Sequence, residues 1–215
     1  MLQQIASFYN GIDPLLNIVS IASVRDDRVL FSDLSFSLQP GQVLIIEGRN
    51  GSGKTTLLRM LCGLRYPDEG EILWQDRPIE TLKNQYYEQF SYVGHLDGVK
   101  RELTPVENLR VTAAMTYSSG INEDSALAQV GLQGFEDVAA QQLSAGQRKR
   151  VALARLLISD CPLWILDEAF TALDRDGVKI LEGLIEKHIN NNGMVIMTSH
   201  QDISLPAERL VKVSL

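Results

Sequence analysis

Residues 42–64 read QVLIIEGRNGSGKTTLLRMLCGL, and the order of textures in this stretch decides the fold. QVLIIEG (42–48) is a short β-branched run that stops at a glycine, as a strand buried on both faces does. GRNGSGKT (48–55) fits the spacing G-x-x-x-x-G-K-[ST] with Gly48, Gly53, Lys54 and Thr55. The run that follows, TTLLRMLCGL, has helical texture. Strand, glycine-rich turn and helix in this order make a phosphate cradle. Its glycines let the backbone curl through Asn50, Gly51, Ser52 and on to Thr56, so that successive N–H groups face one anion. Lys54 reaches the β/γ-phosphates, and Thr55 offers a hydroxyl to Mg²⁺.

PLWILDE (162–168) supplies the complement: apolar residues that bury a strand, then two acids. Asp167 at the strand end can hold the Mg²⁺ shell, and Glu168 beside it can orient or activate a water for attack on the γ-phosphate. Together the two motifs mean a nucleotide with Mg²⁺. They do not separate kinases from transporters.

The rest of the chain narrows the class. A net charge of −7 argues against a nucleic-acid partner, which calls for a basic surface. No apolar run approaches the ~20 residues that cross a bilayer. MLQQIASFYNGIDPLL (1–16) lacks the basic-then-apolar pattern of a secretory signal, so a cytoplasmic protein is expected, docked on a membrane through a partner. Cys62 and Cys161 both sit in apolar surroundings and read as reduced core residues. LLNIVSIASV (15–24), DLSFSL (33–38), GEILWQ (70–75) and FSYVG (90–94) read as strands, the first two separated by the turn-prone RDDR. Between about 104 and 160 helical periodicity takes over, and the strand pattern returns with PLWILDE and GMVIMTSH around a helix at 176–190. This order predicts a parallel α/β core with an inserted helical lobe.

A second helix start deepens the functional reading. LSAGQRKR (143–150) opens the helical run VALARLLI, and a serine followed by a glycine at such an end also attracts phosphate. With the phosphate loop, Asp167–Glu168, ALD at 172–174 and a lone His200 in MTSH, LSAGQ resembles the ATP-binding cassette (ABC) ATPases, over residues 15 to 210. The resemblance implies a P-loop NTPase (RecA-like) core, an antiparallel β subdomain and an α-helical subdomain at about 96–160. The domain then runs over 15–215, after an N-terminal extension at 1–14. It implies that Ser144 and Gly146 contact the γ-phosphate held by a second copy, so that ATP drives a homodimer of cassettes. It also implies that Asp174 belongs to the loop crossing that interface, and that His200 contacts the γ-phosphate and holds the attacking water with Glu168.

Four positions depart from the common pattern. Ala145 replaces a glycine, and Ala169 follows the glutamate where proline is frequent. Arg25 occupies the place of the aromatic that stacks on adenine, and a guanidinium plane can stack there too. His95 stands where the family has a glutamine that senses Mg²⁺ and touches the membrane partner. Its segment, YVGHLDGVKRELTPVENL (92–109), resembles the ATPases of cytochrome c maturation, the ATP-binding subunits of haem exporters. The expected partners are integral membrane subunits, and the expected place is the cytoplasmic face of the inner membrane. A cassette for another cargo would share every catalytic motif and differ only around 92–110. A soluble cassette would normally bring two cassettes, a coiled-coil insertion or a basic arm, and none is visible.

Overall fold

The computed structural model of the chain describes residues 16–25, 28–199, 203 and 205–215. The first elements are strands: β1 (Leu16–Arg25), β2 (Arg28–Leu38) and β3 (Val43–Glu47), followed by the helix α1 (Lys54–Leu61). Next come β4 (Glu69–Trp74), β5 (Arg77–Pro78), two single turns α2 (Ile79–Leu82) and α3 (Asn84–Tyr87), and β6 (Phe90–Val93). Helices α4 (Pro105–Met115), α5 (Glu123–Gln129) and α6 (Ala145–Ile158) fill the middle of the chain. Then follow β7 (Leu163–Asp167), α7 (Arg175–Asn190), β8 (Met194–Thr198) and β9 (Leu210–Ser214).

The strands form two sheets. An antiparallel sheet has the order β2-β1-β4-β5, and a five-stranded sheet, parallel throughout, has the order β6-β7-β8-β3-β9. The parallel order follows from the apolar runs. In β3, Val43 and Ile45 point to one side while Leu44 and Ile46 point to the other, and all four are buried. β7 and β8 divide the same way, with Trp164, Leu166, Val195 and Met197 on the first side and Leu163, Ile165, Met194 and Ile196 on the second. Strands that bury both faces need cover on both, which a period of two in an all-apolar run requires. Helices α4, α5, α6 and α7 cover the first side; α1 and the inner face of the antiparallel sheet (Ile18, Ile21, Phe31, Ile72, Trp74) cover the second.

Two details differ from the sequence reading. β2 begins at Arg28 rather than at Asp33, because Val24↔Val29 and Arg25↔Arg28 continue the pairing to those residues. β9 was not expected. It pairs with β3 from Val43↔Leu210 to Glu47↔Ser214, and Lys212 closes on Glu47 at 3.0 Å. Both cysteines are buried free thiols, as expected of core residues. Burial pushes the Cys62 thiol up to about 12, with the Asp167 charge acting in the same direction.

At the end of the parallel sheet where β7 and β8 begin, the His188 ring stacks on Trp164, with centroids 3.9 Å apart and planes within 7°. Burial pushes the imidazole down to about 4, against the opposing pull of the Pro162 and Met194 backbones. An unfolded chain therefore takes up a proton between pH 6.5 and 4 that the folded chain refuses. The stability due to neutral His188 is fully present above pH 6.5 and is lost as pH falls toward 4. Between pH 7 and 4.5 this loss is about 2 kcal/mol. His188→Phe keeps a flat ring on Trp164 and cannot titrate, so its urea midpoint should fall less than the parent's over that interval. Equal falls in the two proteins would rule out this origin of the acid sensitivity.

Candidate active site

The phosphate loop joins the buried end of β3 to α1. Gly53 precedes the helix with φ +109, and no side chain caps it. Helices α4, α5, α6 and α7 are capped by Thr104, Asn122, Ser144 and Asp174, so α1 differs from these four in starting without a side-chain cap. Such an end is built for an anion. The close packing of the loop depends on Gly48, whose φ is +154 and where a Cβ would lie 2.5 Å from Ser52 Oγ and 2.9 Å from the Leu215 carbonyl. Ser52 Oγ is itself buried and unpartnered. Lys54 Nζ donates to the carbonyls of Gly48 at 2.6 Å and Arg49 at 3.2 Å, folded over the loop where phosphate oxygens would take those protons.

A cavity of about 580 Å³ opens above this loop. Asn50, Gly51, Gly53, Lys54, Thr55 and Thr56 form one wall, Arg25 with Arg28 a second, and Glu168 a third. Residues read separately from 25 to 168 thus surround one space. A triphosphate fits this donor set: uncapped helix N–H groups, one lysine and two arginines. Thr55 and Asp167 are of the right chemistry to hold Mg²⁺ there.

The two acids are fixed by a single hydroxyl that the sequence reading did not single out. Thr198 Oγ1, at the end of β8, donates to Asp167 Oδ1 at 2.8 Å and accepts from the Glu168 N–H at 2.9 Å. Glu168 has φ +49, so the backbone turns sharply at the strand end, and Ala169 behind it is fully buried. Tyr92 was also missed. Its phenol is pushed up to about 12, first by burial and then by the Asp167 charge, which places the ring beside that carboxylate. Both residues lie at the ends of strands flanking β7, a signal visible only once the strand order is known. His95 does reach this centre: its Nδ1 lies 3.3 Å from Glu168 Oε2. His200 falls outside the described residues.

The remaining expected residues lie together elsewhere. Ser144 is exposed and caps α6 through a box, accepting from the Gln147 N–H at 3.2 Å while Gln147 Oε1 accepts from the Ser144 N–H at 2.9 Å. The cap uses one lone pair of the hydroxyl and leaves its proton to donate. Gly146 touches the following turn so closely that a Cβ would lie 2.9 Å from the Ala172 carbonyl. Asp174 caps α7 through the Gly177 N–H and pairs with Arg150 of α6, both of which hold its carboxyl below the usual range. None of Ser144, Gly146 and Asp174 lines the phosphate cavity of its own chain.

The ABC transporter family model matches residues 31–171. The chain is 49% identical over 203 residues to the cytochrome c biogenesis ATP-binding export protein CcmA of Vibrio vulnificus, covering 94% of this chain and 99% of that one. The chain belongs to the ABC transporter family, in its CcmA branch. Another member of the branch, CcmA of Methylococcus capsulatus, is 50% identical over 184 residues, covering 85% of this chain and 89% of that protein. The ABC fold is shared with an ABC transporter ATP-binding protein from Pyrococcus furiosus, at a TM-score of 0.80 and 24% identity over 94% of this chain and 97% of that one. The cavity walls given by Asn50–Thr56 lie within the segment matched by the ABC model, whereas Arg25 and Thr198 lie outside it.

Proposed function

We propose that this chain is the ATP-hydrolysing subunit of a membrane transporter for cytochrome c biogenesis, driving haem export or release of a haem-loaded chaperone. The observation that carries the reading is the shared cavity, in which an uncapped helix start and Lys54 face Glu168. The phosphate loop from Gly48 to Thr56 binds the triphosphate, Arg25 stacks on adenine, and Thr55 with Asp167 holds Mg²⁺. The metal supplies charge neutralisation on the phosphate oxygens when bound. Glu168 takes the proton of the attacking water, and His200 positions that water against the γ-phosphate. Deleting the gene should abolish c-type cytochromes, and the parent chain should restore them while Glu168→Gln should not. Cytochromes at parent levels in the deletion strain would remove the biological half of this reading.

The second helix start acts in trans. Ser144, Gly146 and Asp174 lie away from their own cavity, which supports a homodimer in which each chain completes the other's site. Glu168→Gln with ATP should run as a dimer in light scattering, and Ser144→Arg in that background should keep it a monomer, because a guanidinium fills the space a phosphate oxygen would approach. A stable dimer without nucleotide would contradict this account. The helical lobe at about 96–160 and the loop around Lys100, Arg101 and Glu102 serve as the docking face for membrane subunits, at the cytoplasmic side of the inner membrane. No described helix is long and apolar enough to cross a membrane, so attachment through a partner is the simplest arrangement.

A further inference from the structure

The loop from Gly94 to Gly98 is held by a row of cations on α6. Lys149 Nζ donates to the Gly94 carbonyl at 3.0 Å, Arg148 Nε meets Asp97 Oδ2 at 3.4 Å, and Arg155 Nη1 meets the Gly98 carbonyl at 3.4 Å. Asp97 also accepts from the Val99 N–H at 3.1 Å, which fixes the turn that these cations grip. Between the gripped ends stands His95, whose imidazole faces the Glu168 carboxylate.

Lys149 is the unexpected member of the row. Its side chain is only 4% exposed, and burial lowers its pKa while Asp97, Asp167 and Glu168 pull it back up. A buried ammonium is costly, and an apolar residue of the same length would pack at this position without that penalty. Its hydrogen bond goes to the carbonyl of Gly94, the residue preceding His95, while the three carboxylates around it offset part of the cost of its burial.

We propose that Lys149 is a positioning residue for Glu168, acting through the Gly94–His95 backbone. On this arrangement α6 carries two messages. Ser144 at its start faces the phosphate of the other chain, and Lys149, about one turn later, sets the orientation of the glutamate that works on its own chain's phosphate. Filling one site therefore readies the other. The inference rests on Glu168 being the base, as proposed above.

The test uses steady-state ATPase and nucleotide-binding titrations of the full-length chain, with Glu168→Gln run beside every variant. Lys149→Met keeps the length and volume of the side chain and removes the donor. It should lower kcat about tenfold, leave KM and ATP affinity within twofold, and keep the parent melting temperature. The deciding readout is a double-mutant cycle with His95→Ala. If Lys149 works through His95, Lys149→Met should cost nothing more once His95 is gone. Asp97→Asn, which loosens the same loop from Arg148 while leaving the Lys149 donor in place, should reproduce a smaller kcat loss with the same non-additivity. Parent kcat in Lys149→Met, or losses that simply add in the cycle, would overturn the positioning role while leaving Glu168 as base. An active Glu168→Gln would overturn both.

Discussion

Glu168→Gln should bind ATP as tightly as the parent and turn it over at least a hundredfold more slowly. The amide keeps the volume of the carboxylate and can still accept a hydrogen bond, so the shape of the cavity survives. What is lost is the carboxylate proposed to take a proton from water, and removing one group that acts mainly in the transition state costs on the order of 10²–10³ in kcat. The backbone of Glu168 is anchored through its N–H to Thr198 rather than through its side chain, so the substitution leaves the turn at the end of β7 intact. Single-turnover assays with radiolabelled ATP would separate retention from hydrolysis. Parent turnover would remove Glu168 from its role.

Lys54→Ala should instead abolish binding. Its amine now satisfies two loop carbonyls, and those bonds are weak competitors against a doubly charged phosphate. Charge-assisted bonds to phosphate contribute about 1.5–3 kcal/mol each, so losing two raises the dissociation constant by roughly a hundredfold or more. The remaining loop keeps its shape because the glycines, not the lysine, set the backbone. Fluorescent-nucleotide titration and thermal melting should show a folded protein without a ligand-induced shift. An unchanged melting shift with ATP would mean that helix N–H groups alone suffice.

These two residues were legible from sequence for a physical reason. The phosphate loop is local: Gly48, Gly53, Lys54 and Thr55 do their work within eight consecutive residues, so spacing alone encodes the shape. The buried strands β3, β7 and β8 were legible because a parallel sheet covered on both faces demands uninterrupted apolar runs. β9 escaped because it is an edge strand, pairing only with β3, and its sequence LVKVS mixes lysine and serine into the pattern. Thr198, Tyr92 and Lys149 escaped because each gains its role from neighbours at least 30 positions away in the chain, which no local pattern records. Asp174 stands between the two cases. Its place in ALD was legible, but its work as the cap of α7 and partner of Arg150 was visible only in three dimensions.

One hydroxyl serving two acids has a consequence for how such a site can change over time. Thr198 holds the carboxylate of Asp167 with its proton and the backbone of Glu168 with its lone pair. A lineage cannot loosen one without disturbing the other through this position, so Thr198 is no route to a cassette that binds but does not fire. That separation is open only through the Glu168 side chain, which the anchor does not touch. Divergence toward a silent, regulatory copy should therefore begin at residue 168 and spare residue 198.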